Sequence, residues 1–416
     1  MKILVAGGGI AARVLARSIL ASNPTASVII LESRPTTNWE NDRGIGLWPQ
    51  SIENLCQLQI NIDHEFHSIP PALYRNSTGT WLSRCSDEIA STIRVRTIRE
   101  NRLLMLLHHS KVMYRHNATV EKIISTSLKK KSGVAVTLST GETLEGDVCV
   151  VASGNAGAGG SSGGGGSGSG GGGGGGGASS ISLSGIIPVA TSSTTMQCLQ
   201  EGPFETLVSS GARFAMVPLS TSSMFWFATF PSSSSSLSSS SLSSSSSSSS
   251  TVNQITSPSN LSSALHLLKG MNFHVAVDKV LEETDTDTLL LRDTYSGGAA
   301  AVFNDDNTSD HHHPHIIPIG DAAHHLPNNL AQGGSIAIED GYMLGCLLGK
   351  TTELKSVKKE FEQSRRSRVL ACRRMNILTQ QLSKYSKISN FMQYVPLKIN
   401  QKIFDLSLCY SLYGKI

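Results

Sequence analysis

The chain has 416 residues, 35 basic and 31 acidic side chains, and a formal net charge of +4 with histidine neutral. Domains usually contain roughly 100–200 residues, so this length allows two domains or one large fold with inserts. The mild and evenly spread charge argues against a nucleic-acid partner. No uninterrupted apolar run reaches the ~20 residues of a membrane span, so we expect no transmembrane segment.

The cysteine pattern bears on the compartment. Seven cysteines are present, and none form a CxxC pair. Their odd number and wide spacing argue against a disulfide framework and against a zinc site, so we expect a reducing compartment, the cytoplasm or an organelle. The apolar opening could also be read as a signal peptide, but a strand, a turn and a helix account for its residues.

The beginning of the chain has the pattern of a βαβ unit. Lys2–Ala6 is a short apolar run, typical of a buried parallel strand. Three glycines interrupt this run, and from Ile10 onward apolar residues recur at helical spacing. Ser27–Leu31 then predicts a second buried strand.

The glycine interruption fits the dinucleotide-binding fingerprint GxGxxG/A in its expected context, after a strand and before a helix. Gly7 permits the tight turn, Gly9 lets the backbone approach a pyrophosphate, and Ala12 is small enough for helix–strand packing. The phosphate charge would lie at the helix N-terminus. We therefore predict cofactor contacts at Gly7, Gly9, Ile10, Ala11 and Ala12. The alternative is a glycine-rich turn in an unrelated α/β protein.

Glu32 ends the second predicted strand, twenty residues beyond Ala12 (32 − 12). A carboxylate at this position can accept hydrogen bonds from a ribose. A surface glutamate without a ligand is the alternative.

Further elements follow from apolar periodicity and turn residues. Gly44–Leu58 predicts a turn followed by a helix that is capped near Ser51. The other predictions are a helix over Arg99–His109, a hairpin of Val134–Leu138 with Glu142–Leu144, strands at Val148–Ala152, Gly185–Ala190, Ala212–Leu219, Met224–Phe230 and Ile316–Ile319, and helices over Ser335–Leu348 and Glu353–Gln381.

Two segments have a composition that cannot form a core. Gly154–Ser180 is almost wholly Gly, Ser and Ala, and Ser232–Ser250 is nearly all Ser. Such segments cannot bury enough apolar surface to offset their ordering entropy. We predict low-complexity inserts at both places.

A second glycine-containing motif covers residues 316–340. A strand leads into Gly320 and Asp321, a loop contains Pro327, and Gln332–Gly334 opens a helix. This arrangement provides a second helix N-terminus, which could hold another polar group of an extended ligand, and Asp321 could accept hydrogen bonds from ligand hydroxyls. The alternative is an ordinary strand–loop–helix connection with a capping aspartate.

The segment GDAAHHLPNNLAQGGSIAIED resembles the GD motif of FAD-dependent monooxygenases of the aromatic-ring hydroxylase group, which is p-hydroxybenzoate hydroxylase-like and includes salicylate and kynurenine hydroxylases and zeaxanthin epoxidase. The resemblance implies that Asp321 contacts the ribityl chain of FAD and that Pro327 lies near the isoalloxazine. It also implies that Gln332, Gly333 and Gly334 line the helix N-terminus beside the flavin.

Other segments are similar to the same group. RENRLLMLL resembles the helix whose arginine, here Arg99, reaches the FAD pyrophosphate, where a guanidinium fork suits phosphate oxygens. RGIGLWPQSIENL resembles the segment in which Arg43 passes close to the flavin. GARFAMVPLSTSSMFWFATF resembles the central sheet of the substrate domain, and EQSRRSRVLACRRMN resembles the long helix after the GD region.

The chain departs from the pattern of the group that it resembles at Ala11, at Arg102, where that group usually has leucine, and at Ser153. Ala11 replaces a common glycine, and its methyl group adds little bulk. Ser153 replaces the aspartate of an Asp-Gly motif that helps FAD and NAD(P)H binding, and the arginine that follows in the family is missing. The change at Ser153 bears on the hydride donor.

Several polar or aromatic residues allow two interpretations. The histidines His311, His312, His313 and His315 could bind metal, although a solvated loop is favoured and we predict no metal site. His324 and His325 could act as acid or base, but shaping the GD loop is favoured. The cluster Arg365, Arg366, Arg368, Arg373 and Arg374 is interpreted as a solvated helix face, with contact to acidic lipid as the alternative. Trp48, Trp226 and Phe227 are interpreted as core.

The fold class predicted from these patterns is α/β, a Rossmann-like FAD-binding domain with an inserted β-rich substrate domain and a helical C-terminus. The predicted divisions are 1–153 with 303–350 for the FAD domain, 154–180 for the first insert, 181–302 for the substrate domain with its insert at 232–250, and 351–416 for the C-terminal helices.

By resemblance, NAD(P)H reduces FAD, O2 adds to form a flavin hydroperoxide, and one oxygen atom passes to a small electron-rich organic substrate. An FAD-dependent reductase or dehydrogenase without oxygen insertion, and a degenerate flavin-binding protein, are the alternatives. The substrate, the choice between NADH and NADPH, and the oligomeric state do not follow from the sequence.

Overall fold

The structure is a computed structural model that describes residues 1–35, 42–62, 64–71, 73–76, 81–128, 131–153, 179–188, 204–207, 212–231, 261–271, 273, 277–295, 313–324, 326, 331–384 and 397–413. The predicted serine-rich insert, Pro327, His325, His311 and His312 lie outside these residues. The predicted glycine-rich insert also lies outside them, except for Ser179 and Ser180, which begin a strand.

The first part of the chain alternates short strands with helices. Its strands are β1 (Lys2–Ala6), β2 (Ser27–Leu31), β3 (Gly44–Leu47), β4 (His67–Ile69), β5 (Leu73–Asn76), β6 (Trp81–Ser83), β7 (Val95–Arg99), β8 (Met113–Arg115), β9 (Val120–Leu128), β10 (Lys131–Leu138), β11 (Thr143–Gly146) and β12 (Val148–Val151). Its helices are α1 (Ile10–Ser22), α2 (Pro49–Gln57), α3 (Asp87–Thr92) and α4 (Glu100–Leu106).

The second part places most strands before the long helices. Its strands are β13 (Ser179–Pro188), β14 (Phe204–Leu207), β15 (Arg213–Pro218), β16 (Ser223–Pro231), β17 (Leu290–Tyr295) and β18 (Ile316–Pro318). Its α-helices are α5 (Leu261–Lys269), α6 (Val277–Glu283), α7 (Asp321–His324), α8 (Gly333–Lys350), α9 (Leu354–Lys384) and α10 (Leu397–Tyr413). No helix in the described part of the chain is long and apolar enough to cross a bilayer.

A parallel five-stranded sheet carries the N-terminal glycine motif. Its strand order is β18-β12-β1-β2-β8, so β1 lies between β12 and β2. Central strands of such a sheet are buried on both faces, which explains why β1 and β12 are almost continuously apolar. The predicted α/β class is confirmed.

Helices α1 and α8 pack side by side against this sheet through glycines of α8. A Cβ built on Gly341 would lie 2.5 Å from the carbonyl oxygen of Ala11, and one built on Gly345 would lie 2.5 Å from Cβ of Ser18. Only glycine allows the two backbones to approach this closely. Because the contacts run in the same order along both helices, α1 and α8 are parallel and their N-termini point in one direction.

A second sheet has seven strands in the order β17-β13-β16-β15-β14-β5-β6. Its core contains the fully buried Phe214 and Trp226, whose rings stack with centroids 5.7 Å apart. The predicted core role of Trp226 is therefore correct. Strands β5 and β6 belong to this sheet through parallel pairing of β5 with β14, although the sequence places them in the FAD domain.

A small sheet of order β3-β7-β4 lies against the seven-stranded sheet and packs its apolar side chains on helices α1 and α8. The predicted turn at Gly44–Leu47 is wrong, because these residues form β3, antiparallel to β7. The helix that follows begins at Pro49 with Trp48 as its N-cap, so the predicted cap near Ser51 is also wrong. Trp48 is 5% exposed, in agreement with its predicted core role.

Helices α9 and α10 pack against each other, and α9 also contacts α8. The predicted solvated face is correct for Arg366 and Arg374, which are exposed. It is wrong for Arg365 and Arg368, which are buried because they pair with carboxylates of α8.

Candidate functional site

The predicted site residues follow the strands of the parallel sheet at its carboxyl edge. Gly7 comes directly after β1, Glu32 directly after β2, and Ser153 two residues after β12. Gly320 and Asp321 follow β18, the strand beside β12. Ligands of open α/β sheets bind outside this edge, so the topology brings the two glycine motifs to one place.

The first motif forms a tight turn against the end of β12. Gly7 has a φ of +105°, and a Cβ there would lie 2.6 Å from the carbonyl oxygen of Ala152 and 2.7 Å from Cα of Ser153. In contrast, a Cβ at Gly9 would have no atom of the described residues within 4 Å, apart from its neighbours in the chain. Gly9 is also the N-cap of α1, without a side-chain cap. The turn is therefore packed on the sheet side and open toward the helix N-terminus.

Arg13 supports this turn from within the protein, a role that the sequence analysis missed. Its Nε donates to the carbonyl oxygen of Gly8 at 3.0 Å and its Nη1 donates to that of Leu104 at 3.1 Å. Its guanidinium lies over the ring of Tyr114, 5.0 Å from the centroid. An arginine within an apolar helical pattern could have signalled this buried role.

Glu32 lies next to the glycine turn. A Cβ at Gly8 would lie 2.6 Å from Oε2 of Glu32, which shows how close the carboxylate is to the loop. The backbone N–H of Arg34 donates to Oε1 at 3.0 Å, and its Nη2 donates to Oε2 at 3.0 Å. Burial opposes ionisation, but the hydrogen bonds and charge of Arg34 lower the pKa of Glu32 below its usual value. The side chain is therefore an anion, and Arg34 holds both of its oxygens next to the glycine turn.

The second motif forms another glycine turn. Gly320 has a φ of +59°, and its N–H donates to Oδ2 of Asp340 at 2.9 Å. Asp321 then opens α7. A Cβ at Gly333 would lie 3.8 Å from Oδ1 of Asp321, so this carboxylate stands beside the N-terminus of α8. The N-cap of α8, Gln332, makes no side-chain cap.

The two helix N-termini are offset along their common direction. Ala11, one residue inside α1, faces Gly341, whereas α8 begins eight residues earlier at Gly333. At a rise of 1.5 Å per residue, the N-terminus of α8 lies roughly 10 Å beyond that of α1. Helix N-termini attract anionic or electron-rich groups. Two parallel, offset N-termini suit one extended ligand with polar groups at two places.

Two predicted arginines lie at the end of the β3–β7 pair. Nε of Arg43 lies 2.5 Å from Oε2 of Glu100, and the charge of Glu100 raises the pKa of Arg43, with a smaller contribution from Asp321. Arg99 pairs in register with Gly44, and its Nη1 lies 3.5 Å from Oδ2 of Asp42. Arg43 thus lies within electrostatic range of Asp321, while Arg99 faces a neighbouring cleft.

This cleft has a volume of about 690 Å³ and lies between β7 and the seven-stranded sheet. Arg99, Ile186 and Leu219 contribute to its lining. A Cβ at Gly44 would overlap Leu219 and Phe225, so β3 lies directly against the seven-stranded sheet. The cleft therefore opens beside the strand pair β3–β7, which begins directly after Arg43.

A buried ionic cluster lies behind the second motif. Oδ2 of Asp340 lies 2.8 Å from Nε2 of His324, and its Oδ1 accepts from Nε of Arg365 at 2.7 Å. Burial opposes ionisation of Asp340, but His324 and Arg365 lower its pKa to about 2. The predicted shaping role of His324 agrees with this contact. The pairing of Glu339 and Asp340 with Arg365 and Arg368 was not predicted from the sequence. Two adjacent carboxylates in an otherwise apolar helix could have indicated buried ion pairs.

Most of the predicted site residues thus lie at one edge of the fold, with Arg43 beside them. They are Gly7, Gly9–Ala12, Glu32, Gly320, Asp321 and Gln332–Gly334. Gln332 contributes only its backbone there, because its side chain is 2% exposed and is bonded to α9 and α10. The predicted flavin contact at Pro327 stays a prediction.

Comparisons with known proteins fit this geometry. A family model described as lycopene cyclase protein matches residues 2–165. A stretch of 100 residues is 31% identical to the chloroplastic zeaxanthin epoxidase of Prunus armeniaca, and it covers 22% of this chain and 14% of that protein. The chain thus matches only a small part of the length of this relative.

Solved structures match over nearly the whole chain. HpxO of Klebsiella pneumoniae complexed with FAD and uric acid has a TM-score of 0.68 at 16% identity, over 98% of this chain and 97% of that one. A 2-methyl-3-hydroxypyridine-5-carboxylic acid oxygenase has a TM-score of 0.61 at 17% identity, over 92% and 93%. At these identities the similarity establishes the fold. The predicted resemblance to FAD-dependent monooxygenases is confirmed.

Proposed function

We propose that the chain binds FAD at the carboxyl edge of the parallel sheet and is an FAD-dependent monooxygenase. The observation that carries the proposal is the pair of parallel, uncapped helix N-termini of α1 and α8, offset by roughly 10 Å, at the edge where two glycine turns meet. The FAD-complexed HpxO structure, which shares this fold, supports the choice of cofactor.

The residues fit the parts of FAD in sequence along that edge. The open space at Gly9 and the N–H groups of the first turn of α1 suit the pyrophosphate. The anionic Glu32 suits the adenosine ribose. Asp321, beside Gly333, suits the ribityl hydroxyls, and the N-terminus of α8 suits the electron-rich edge of the flavin ring.

Bound FAD would supply the two-electron redox chemistry and the reaction with O2 that side chains do not provide. The protein would bind and orient the cofactor, and β3 packs directly against the seven-stranded sheet. We propose that a small electron-rich organic substrate enters by the cleft beside Arg99 and that NAD(P)H is the electron donor.

The experiment is steady-state turnover of the purified, FAD-loaded chain with NADPH, with NADH in parallel. We expect oxidation of the nucleotide coupled to O2 uptake, stimulated by an aromatic or polyene substrate that gains one oxygen atom by mass spectrometry. The Gly9→Ala variant is the control for chemistry of free FAD. Nucleotide oxidation without O2 uptake or oxygen incorporation under any substrate would overturn the monooxygenase assignment.

Ser153 favours a second candidate, an FAD-dependent oxidoreductase without oxygen insertion. This residue lies against the Gly7 turn, where related proteins have an aspartate, and serine supplies a hydroxyl but no charge. Weak nicotinamide binding would follow. We expect anaerobic reduction of the flavin by NADPH to be slow in the native chain and faster in Ser153→Asp. Fast and saturating reduction of the native chain at low NADPH would count against this candidate.

A further inference from the structure

We infer that Arg365 and Arg368 of α9 are positioning residues of the flavin site, Arg365 acting through the carboxylate of Asp340 and Arg368 through the side chain of Gln332. The inference rests on the proposed function, since it concerns the geometry of the same site. It makes the C-terminal helices part of the cofactor-binding machinery rather than an outer layer of the fold.

The first connection runs from α9 to the GD turn. Arg365 donates from Nε to Oδ1 of Asp340 at 2.7 Å, and Oδ2 of the same carboxylate accepts the N–H of Gly320 at 2.9 Å. The ring of His324 makes a further contact with Oδ2 at 2.8 Å. Gly320 has left-handed backbone geometry and directly precedes Asp321. Asp340 therefore fixes the turn that aims Asp321, and Arg365 fixes Asp340.

The second connection runs from α9 to the N-terminus of α8. Arg368 lies 3.1 Å from Oε1 of Glu339, and its Nη1 donates to Oε1 of Gln332 at 3.2 Å. It also donates to the carbonyl oxygen of Ser411 in α10. Gln332 in turn donates from Nε2 to Oγ of Ser411 at 3.1 Å. The N-cap residue of α8 is thereby tied to both C-terminal helices.

The two connections meet, because Nη2 of Arg365 also contacts Oε2 of Glu339 at 2.7 Å. All four charged side chains are at most 9% exposed. Apolar residues of similar volume often stabilise a fold as well as a buried ion pair does, so stability alone does not explain this cluster. One polar connection ends on the backbone N–H of Gly320, and the other ends on the side chain of Gln332, the N-cap residue of α8. A guanidinium fork, which bonds two partners at fixed angles, suits this positioning.

The test is the affinity of the full-length chain for FAD, with the flavin removed from purified protein and titrated back. The variants are Arg365→Lys and Arg368→Lys, which keep the charge but lose the fork. Phe361→Leu is the matched control, because Phe361 is fully buried on the same helix and belongs to the core shared with α1. Visible circular dichroism of the bound flavin reports on its orientation, and thermal unfolding of the flavin-free protein reports on stability.

We expect both lysine variants to bind FAD at least tenfold more weakly and to change the visible circular dichroism of the bound flavin. Phe361→Leu, at an equal or larger loss of thermal stability, should leave both properties within twofold of the native values. Native affinity and dichroism in folded lysine variants would overturn the inference. Equal weakening by Phe361→Leu would also overturn it, because the effect would then follow stability. Failure of the native chain itself to bind FAD would instead contradict the proposed function.

Discussion

At the scale of single residues, the candidate site depends on glycines that serve two different purposes. Gly7 cannot carry a side chain, because the protein itself occupies the space that a Cβ would need and φ is +105°. Gly9 has ordinary geometry, with a φ of −72°, and within the described part of the chain no atom lies within 4 Å of its Cβ position apart from its chain neighbours. The space at Gly9 is therefore available to a ligand, and the two positions can be tested separately.

Gly9→Ala is expected to leave folding intact and to abolish tight FAD binding. The methyl group meets no atom of the described residues beyond its chain neighbours, so the free energy of unfolding should change by less than about 0.5 kcal/mol, as for surface substitutions. It occupies the space through which the backbone approaches the pyrophosphate. Denaturant unfolding and FAD titration are the measurements. Gly270→Ala, at another position where a Cβ has room, is the control and should alter neither quantity.

The carboxylates at the two ends of the site give a second residue-scale prediction. Glu32→Ala and Asp321→Ala should each weaken the binding of FAD by about tenfold or more, because a hydrogen bond to a charged group contributes about 1.5–3 kcal/mol. Glu142→Ala is the control, since Glu142 pairs with Arg115 on the surface. Full stoichiometric flavin in both site variants would contradict the placement of both ends of the cofactor.

The free energy of unfolding should depend on pH through the carboxylate of Asp340. The pKa of Asp340 is about 2 in the folded chain, below the value of about 3.9 expected when unfolded. Its charge therefore stabilises the fold above about pH 4, and this contribution is lost as pH falls toward 2. We expect the native free energy of unfolding to fall over this range by on the order of 2 kcal/mol more than that of Asp340→Asn. Parallel pH profiles of the two proteins would show the prediction to be wrong.

At the scale of elements, the position of the two helix N-termini depends on close packing between α1 and α8. Three glycines of α8, spaced four residues apart, lie against α1, and the sequence analysis assigned them no role. They are Gly341, Gly345 and Gly349. Because this spacing places them on one face of the helix, the contact continues over two turns. The offset between the N-termini is thus set by packing along the whole of α1, from Ala11 to Ser22.

Gly345→Ala should force the two helices apart. Its Cβ would lie 2.5 Å from Cβ of Ser18 and 2.8 Å from the carbonyl oxygen of Leu15, and overpacking of this kind typically costs about 1–3 kcal/mol. Ser18→Gly in the same chain should recover part of the loss, because it removes the nearer of the two contacts. Chemical denaturation of the single and double variants measures this. Lys350→Ala, at an exposed position of α8, is the control, and an equal loss there would contradict the packing argument.

The elements that the sequence did not predict depend on contacts between distant segments of the chain. The glycine turns and the flanking strands were predictable, because turn chemistry and apolar runs are local signals. Strand β3 was missed because its two glycines, Gly44 and Gly46, indicate a turn, whereas the close approach of Phe225 requires the first of them. Arg365 and Arg368 lie in a polar and charged segment of the sequence, which predicts an exposed helix face. Their burial is explained by the carboxylates of α8, which are distant in the sequence.

For the whole molecule, the strand order shows which segments share a sheet, and a division of the chain into consecutive ranges cannot show this. The seven-stranded sheet takes β5 and β6 from the first part of the chain because β5 pairs with β14, more than a hundred residues later. The parallel sheet likewise joins β18 to β12 across the whole inserted region. Such long-range pairings leave no local signal, whereas the βαβ unit and the GD motif were sufficient to predict the fold class and the location of the candidate site.

The central claim is that this edge of the sheet binds one FAD. The most direct measurement is titration of the flavin-free chain with FAD, followed by visible absorbance and by protein fluorescence. We expect saturation at one FAD per chain, with the flavin band changed from that of free FAD, and we expect Gly9→Ala to show no such change under the same conditions. A native chain that leaves the flavin spectrum unchanged, or a Gly9→Ala variant that binds FAD as tightly as the native chain, would contradict the claim.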